Sequence, residues 1–217
     1  MAEGLAAVVI AYAIGSLPLA YIAGRASKGI DLRTAGSGNV GASNVWQSAE
    51  RWLVVPVGLA QIAQGATAVL IARLFEAGDG AEVACALACV IANNWNPWLR
   101  FTGGRGVGVT IGALAVLSPV ALAVFVIVAV CGVVLRAVPQ GVALGLLASP
   151  FAAAVAEDGS IVVAGCAAMA AICLLKRLVG NELPDPGAAR PDVWVNRLIY
   201  DRDLRDRETW VRRNVVR

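Results

Sequence analysis

A polar, glycine-rich stretch between two long apolar runs carries the residues best suited to chemistry. It extends from Lys28 to Asn44. Gly36, Gly38 and Gly41 allow positive φ, so successive backbone N–H groups can point into one concavity. The stretch therefore predicts an anion site, with phosphate as the first expectation. Its candidate ligands are Arg33, Gly36, Ser37, Gly38, Asn39, Gly41 and Asn44.

A second glycine cluster, Gly103-Gly104-Arg105-Gly106, directly precedes an apolar run that begins at Val107. If that run is a helix, the backbone N–H groups of the cluster lie at its positive end, which favours an anion. Arg105 adds a permanent charge and a two-pronged hydrogen-bonding face suited to phosphate. The plainer alternative is an interfacial turn that carries a positive-inside arginine.

The residues from Gly36 to Gly41 also match the dinucleotide-binding pattern G-x-G-x-x-G. That pattern needs a preceding strand, a βαβ unit and a later acidic residue for the ribose. Apolar runs of membrane type flank the stretch instead, so we reject a dinucleotide site. What remains is the role of glycine in letting the backbone approach an anion closely.

Composition places the chain in a membrane. The 217 residues are 59% hydrophobic with a mean hydropathy of +0.72, whereas soluble domains are about 45–50% apolar. Charged residues are sparse between Leu53 and Leu175, and the apolar runs between them are roughly 15–23 residues long, close to the length that spans a bilayer. Many residues in the runs are small, which predicts closely packed helices.

The sequence therefore predicts an all-α, polytopic membrane bundle of about seven transmembrane helices. The predicted helices are Leu5–Gly24, Leu53–Phe75, Val83–Trp98, Val107–Leu117, Val120–Leu135, Val142–Val155 and Ile161–Leu175. Pro18 lies inside the first of them, and a short interfacial helix is expected between Ala42 and Trp52. A count of five spans, with the fourth and fifth helices forming a re-entrant pair, stays open.

Charge distribution predicts the orientation. Of 18 Lys and Arg, only Arg73 falls on the side of the acidic turns Glu76–Glu82 and Glu157–Ser160. The positive-inside rule then places the N-terminus outside and both glycine clusters on the cytoplasmic face. We expect residues 1–180 to form the membrane domain and residues 181–217 a charged cytoplasmic tail. From Val193 the tail predicts an amphipathic helix on the lipid surface, although a solvated charged tail is the alternative.

The sequence gives little indication of a metal site or a redox site. The five cysteines all lie inside apolar runs, and the chain contains no histidine. Without a C-x-x-C pair or a histidine, a zinc or haem site is not expected. We predict no cofactor, no metal and no nucleic-acid partner, and the oligomeric state stays open.

Three segments resemble motifs of the bacterial acyl-phosphate:glycerol-3-phosphate acyltransferases. Ile14–Pro18 with Gly29–Arg33 and Gly36–Val45 resembles the first motif. Phe101–Val107 is similar to the second, Phe-Lys-Gly-Gly-Lys-Gly-Val, and Lys176-Arg177-Leu178 with Gly180 and Glu182 resembles the end of the third. The similarity covers roughly Ala11 to Glu182, in order and with the same hydrophobic spacing.

The resemblance implies a seven-helix enzyme of the bacterial cell membrane with its active site at the cytoplasmic interface. Such an enzyme moves an acyl chain from acyl phosphate to the 1-hydroxyl of glycerol 3-phosphate, giving lysophosphatidic acid for phospholipid synthesis, without metal. It implies catalytic roles for Ser37 and Arg105, and phosphate binding by Lys176 together with the glycines of both clusters.

The chain departs from the family pattern at several polar positions. Uncharged residues replace the family's charged or catalytic ones at Gln47, Gln61, Gln64, Asn93 or Asn94, Val142, Ala171 and Leu174. A histidine-assisted acyl transfer is therefore excluded, but acyl phosphate is already an activated donor. Positioning and electrostatic stabilisation can still supply much of the rate.

Two other functions stay open from the sequence. A non-catalytic descendant that binds a phospholipid or polyprenyl phosphate head group would also retain the glycine loops while losing catalytic side chains. A transporter or channel is disfavoured, because the apolar runs lack paired midplane charges and an evident inverted repeat.

Overall fold

The apolar runs fold into helices. The computed structural model describes residues 2–181 and 191–206, and all regular structure in these residues is helical. The α-helices are α1 (Ala2–Gly15), α2 (Leu19–Lys28), α3 (Ala42–Ser48), α4 (Val54–Leu74), α5 (Asp79–Asn94), α6 (Val107–Leu117), α7 (Pro119–Val134), α8 (Val138–Val155), α9 (Ser160–Val179) and α10 (Pro191–Tyr200). Short 3₁₀ turns cover Arg51–Leu53 and Pro97–Leu99.

The first predicted helix is broken, which corrects the expectation of a continuous Leu5–Gly24. α1 ends at Gly15 and α2 begins after Pro18, whose missing N–H cannot pair with the carbonyl four residues earlier. The side-chain amide of Gln64 on α4 donates to that carbonyl, at Ile14 (2.7 Å), and to the carbonyl of Leu17 (3.1 Å). A neighbouring helix thus satisfies the groups exposed by the break, as a membrane interior requires.

The other predicted helices are confirmed, with shifted ends. Val107–Leu117 is reproduced, whereas the third helix runs from Asp79 to Asn94 rather than from Val83 to Trp98. Its C-terminal end is shorter because Pro97 opens a separate turn, capped by the Asn96 side chain, which accepts from the Trp98 N–H at 3.1 Å. A short helix, α3, forms within the segment where an interfacial helix is expected.

Glycines bring α4 and α6 into backbone contact, which confirms the close packing predicted from the small residues. A Cβ atom on Gly65 would lie 1.9 Å from the Val109 carbonyl oxygen, and one on Gly112 would lie 1.8 Å from the Ile62 carbonyl oxygen. Only glycine fits at such separations. This contact fixes the start of α6, and with it the second glycine cluster, against α4.

The outer surface of the bundle is apolar. Leu74, Leu135 and Val155, for example, are 81%, 76% and 84% exposed. By length and composition, four helical segments within the described residues can cross a membrane: Ala2–Lys28, Arg51–Leu74, Val138–Val155 and Ser160–Val179. Val107–Leu117 and Pro119–Val134 are shorter apolar helices. The chain is therefore built as a multi-pass membrane protein.

The tail forms a helix at Pro191–Tyr200, within the predicted segment, but residues 201–206, which the prediction also covers, are not helical. Residues 207–217 of that prediction lie outside the described residues. α10 packs against α8 and α9. Its residues Trp194, Val195, Leu198 and Ile199 are exposed, while Arg197 is only 4% exposed. The apolar face thus points outward and the arginine faces the bundle.

Candidate active site

Asn44 organises the first glycine-rich loop. Its side chain is fully buried, and its Nδ2 donates to the carbonyl oxygens of Leu32 (3.0 Å), Ala35 (2.9 Å) and Asn39 (2.9 Å). One amide at the start of α3 therefore gathers three carbonyls of the preceding loop. This arrangement assigns Asn44 a structural role in the loop, in contrast to the ligand role predicted from the sequence.

The carbonyl oxygen of the Asn44 side chain fixes the backbone of Ser37. Asn44 Oδ1 accepts from the backbone N–H of Ser37 at 3.2 Å and from the Ser48 hydroxyl at 3.1 Å. A Cβ atom on Gly36 would lie 2.3 Å from both of these side-chain oxygens, and Gly36 has φ +58°. Gly36 therefore serves the shape of the loop, and Asn44 fixes the backbone of Ser37.

Arg33 is held by its own loop. Its Nη2 lies 2.6 Å from Asp31 Oδ2 and its Nε 3.0 Å from Asp31 Oδ1, while the guanidinium lies over the Tyr21 ring at 5.4 Å. The hydrogen bond from Arg33 holds the pKa of the Asp31 carboxyl below its usual value. These contacts indicate that Arg33 stabilises the conformation of the first loop.

The two glycine clusters touch. The Val40 N–H donates to the Gly103 carbonyl at 3.2 Å. Asn181 joins them further: its Nδ2 donates to the carbonyls of Gly38 (2.9 Å) and Gly103 (3.0 Å), and its Oδ1 accepts from the Gly103 N–H (3.1 Å). Sequence reasoning missed Asn181, because a lone asparagine beyond the last apolar run carries no local signal.

The second cluster is pressed against the end of α5. Cβ atoms on Gly103 and Gly104 would lie 2.3 Å from the Asn93 carbonyl oxygen and 2.8 Å from Asn93 Oδ1, respectively. Gly106 has φ +72° and is the N-cap of α6. The cluster therefore opens a helix, as predicted, and the backbone turn there requires glycine.

Arg105 is held by one hydrogen bond and one ion pair. Its Nη1 donates to the Lys176 backbone carbonyl at 2.9 Å, and its Nε lies 2.8 Å from Asp201 Oδ1. Asp201 also lies 3.7 Å from Arg177 Nε. Lys176 itself is buried, with its ammonium over the Trp95 ring at 5.2 Å, so it supports the site through its backbone.

A single cavity of about 720 Å³ lies where these elements meet. Six of the predicted residues line it: Ser37, Asn39, Gly41, Gly104, Arg105 and Gly106. Six others do not line it: Arg33, Gly36, Gly38, Asn44, Gly103 and Lys176. Its size is typical of small-molecule sites. Residues from both of the anion sites expected from the sequence thus line one cavity.

The cavity also contains residues that the sequence did not single out as ligands. They include Gln47, Gln61, Asn93, Arg136, Arg177, Tyr200, Asp201 and Arg202. Arg177 stands beside Lys176 in the third motif, and Arg136 lies in a short basic turn, so both carried a usable signal. Within residues 2–181 and 191–206, no cluster of three His, Cys, Asp or Glu side chains is arranged to bind a metal.

Chemically, the cavity combines two features. Neutral side chains and backbone of both loops line part of it, and the N–H groups of Ser37, Gly38, Val40 and Gly104 already donate within the protein. Four guanidinium groups with a single carboxylate supply a net positive charge. Such a lining favours ligands with more than one phosphate group over neutral ones. Together, the fold and this cavity define an integral membrane protein that handles a phosphorylated substrate.

The chain belongs to the glycerol-3-phosphate acyltransferase family, whose model matches residues 5–180. It is 30% identical over 212 residues to glycerol-3-phosphate acyltransferase 4 of Dehalococcoides mccartyi (strain CBDB1), covering 94% of this chain and 91% of that one. It is 38% identical over 144 residues to the glycerol-3-phosphate acyltransferase of Desulforamulus reducens, covering 66% and 72% of the two chains. The family predicted from the motifs is confirmed.

Two solved structures of an acyltransferase share the fold of this chain. The crystal structure of PlsY, an integral membrane glycerol 3-phosphate acyltransferase, in its glycerol 3-phosphate form matches with a TM-score of 0.74 and 26% identity. The match covers 80% of this chain and 88% of PlsY. The lysophosphatidic acid form matches with a TM-score of 0.72 at 24% identity, which shows the shared fold. The non-catalytic alternative is not favoured, because the matching relatives are named as acyltransferases.

Proposed function

We propose that the protein transfers an acyl group from acyl phosphate to glycerol 3-phosphate and forms lysophosphatidic acid. The observation that carries the proposal is the convergence of both glycine-rich loops and Arg105 on one cavity, in a chain of this family. Both proposed substrates carry a phosphate group. The net positive lining matches their combined charge.

The reaction follows from the placement of the two phosphates. Glycerol 3-phosphate binds the loop at Ser37 and Asn39, and acyl phosphate binds at Gly104, Arg105 and Gly106. The glycerol 1-hydroxyl attacks the acyl carbonyl carbon, the bond from that carbon to the phosphate oxygen breaks, and inorganic phosphate leaves. Holding both reactants in one cavity supplies much of the rate, and Arg105 stabilises the charge that develops on the leaving phosphate.

The hydroxyl proton needs an acceptor. Asp201 is the one carboxylate among the described cavity residues, and it is engaged by Arg105 and Arg177. The leaving phosphate is the better acceptor, because the oxygen released from the acyl carbon keeps the electron pair of the broken bond and can take up the hydroxyl proton. The chemistry therefore proceeds without the histidine that this chain lacks.

Three of the residues named at altered family positions line the cavity as neutral amides, namely Gln47, Gln61 and Asn93, and Val142 lines it as an apolar side chain. Gln64 does not line it and instead bonds the broken first helix. The substitutions therefore change the charge of the cavity wall while leaving both glycine loops intact.

We further propose seven spans, with the N-terminus outside and the cavity facing the cytoplasm. The distribution of basic residues supports this orientation. Gly80→Cys and Arg205→Cys, each in a Cys131→Ala background whose remaining native cysteines are buried, test it with a membrane-impermeant maleimide on intact cells. The Gly80→Cys variant should react and the Arg205→Cys variant should react only after lysis; the reverse pattern would contradict the orientation.

The activity is tested with purified protein, labelled glycerol 3-phosphate and palmitoyl phosphate. We expect wild-type turnover and a loss of about 100-fold in kcat/KM for Arg105→Ala, because a charge-assisted contact to the reacting phosphate disappears. Ser37→Ala should also lose activity. Arg51→Ala is the matched control, since Arg51 is an exposed cation over Trp46 that does not line the cavity.

The proposal fails if the wild type forms no lysophosphatidic acid, or if Arg105→Ala behaves like Arg51→Ala. Binding of glycerol 3-phosphate or a phospholipid head group without turnover would instead support the non-catalytic alternative.

A further inference from the structure

Three consecutive residues of the C-terminal segment, Tyr200, Asp201 and Arg202, line the same cavity as Ser37 and Arg105. They lie beyond residue 180, where the match to the family model ends. We propose that this segment is a wall of the substrate site and that Arg202 binds a substrate phosphate. The inference rests on the proposed function for the identity of the substrates, but not for the presence of a phosphate site.

The segment is anchored to the bundle immediately before it reaches the cavity. Arg197 Nη1 donates to the carbonyls of Leu178 (3.0 Å) and Val179 (2.7 Å) at the end of α9. In the opposite direction, Arg177 Nη1 donates to the Leu198 carbonyl at 3.2 Å. These bonds satisfy carbonyls at the C-terminal ends of α9 and α10 with buried cations. α10 is therefore fixed against α9 as part of the fold.

The chain then turns into the cavity at Asp201. This residue has φ +55°, an uncommon conformation for a residue with a side chain. The turn places its carboxylate 2.8 Å from Arg105 Nε and 3.7 Å from Arg177 Nε. A strained residue held by two arginines of the site indicates that the position of the segment is specified.

Arg202, the next residue, has no such partner. Its guanidinium stacks on the Tyr200 ring at 5.5 Å, and its Nε is buried without a hydrogen-bond acceptor among the described residues. Asp201, the nearby carboxylate, is occupied by Arg105 and Arg177. A guanidinium side chain that lines a cavity and has no carboxylate partner among the described residues is best satisfied by an anionic ligand.

Arg202 adds to the positive charge of the cavity. The wall contains neutral amides at Gln47 and Gln61. Arg202 brings a guanidinium to the same cavity from a distant part of the chain. With it, the cavity holds four guanidinium groups against one carboxylate, enough charge to bind two phosphate groups at once.

The test compares full-length wild type with Arg202→Gln, Arg202→Lys and the control Arg205→Gln. Arg205 also lies over the Tyr200 ring, at 6.0 Å, but it is exposed and does not line the cavity. Steady-state kinetics give KM for glycerol 3-phosphate and palmitoyl phosphate, and calorimetry in detergent gives Kd for glycerol 3-phosphate and inorganic phosphate.

We expect Arg202→Gln to raise KM for at least one phosphate substrate about tenfold with a smaller change in kcat, as the loss of a charged hydrogen bond predicts. Arg202→Lys should recover part of this loss, and Arg205→Gln should match the wild type. If Arg202→Gln matches Arg205→Gln in both KM values and in both Kd values, the inference is wrong. An unchanged KM with a lower kcat would also overturn it, because it would indicate an effect through the fold.

The binding data separate this inference from the proposed function. A wild type that binds phosphate but does not turn over, with weaker binding in Arg202→Gln, would refute the acyltransferase proposal and support the role of Arg202. A wild type that binds neither probe would overturn the phosphate role of Arg202. Increased affinity in Arg202→Gln would overturn it as well.

Discussion

At the scale of single residues, the site depends on side chains that bind the protein rather than the substrate. Asn44 and Asp31 each hold part of the first loop, through hydrogen bonds to backbone carbonyls and to Arg33, respectively. The sequence predicted Asn44 and Arg33 as ligands because their polarity and position suit an anion. Their contacts show that a polar residue in a tight loop has a competing use, namely to satisfy the loop's own backbone.

Replacing Asn44 by alanine should destabilise the protein by about 3 kcal/mol or more, because several buried backbone groups lose their partner at about 1–3 kcal/mol each. The cavity should lose glycerol 3-phosphate binding at the same time, since Ser37 is no longer fixed. Thermal unfolding in detergent and a binding titration measure both effects. Thr34→Ala, at an exposed position of the same loop, is the control; equal stability of the two variants would contradict the role given to Asn44.

The Asp31–Arg33 pair predicts a pH dependence. Since Arg33 lowers the pKa of Asp31 in the folded protein, the pair stabilises the fold at any pH above the unfolded value of about 3.9 and loses this effect as pH falls through the folded pKa. The side chains are partly exposed, so the contribution is small. The Tm difference between wild type and Asp31→Asn should be constant from pH 8 to about 5 and should shrink below about 4. A difference that grows on acidification would refute it.

At the scale of elements, the sequence predicted most of the helices but not how they fit together. Long apolar runs and short charged turns are local signals, and they located the helices to within a few residues. The break at Pro18 depends instead on Gln64 of α4, roughly two helices away in sequence. Likewise, the sequence showed that small residues are abundant. It did not show that Gly65 packs against α6 and that Gly112 packs against α4.

Gln64→Leu should destabilise the protein by about 1–3 kcal/mol, because the carbonyls of Ile14 and Leu17 each lose a hydrogen bond in an environment without water. Thr67→Leu provides the comparison, since Thr67 is an exposed residue of the same helix and makes the same change from polar to apolar. Thermal unfolding of the two variants in one detergent measures the difference. A Gln64→Leu variant as stable as Thr67→Leu would show that the break does not need the amide.

At the scale of the whole molecule, the site is an arrangement of segments that are distant in the chain. Both glycine clusters could be predicted, because glycine beside polar and basic residues at a helix boundary has a local physical meaning. Their union in one cavity could not, since it depends on Asn181 and on the return of Asp201 to Arg105. The sequence around Asn181 and Asp201 resembles that of any polar tail, so it gives no local signal of these contacts.

The central claim is that one cavity holds both phosphate groups. A structure of the full chain with glycerol 3-phosphate and a non-hydrolysable acyl phosphonate tests it most directly. We predict one phosphate against Ser37 and Asn39 and the phosphonate against Gly104, Gly106 and the Arg105 guanidinium. Density for either group outside this cavity, or for the two groups on opposite faces of the bundle, would contradict the account.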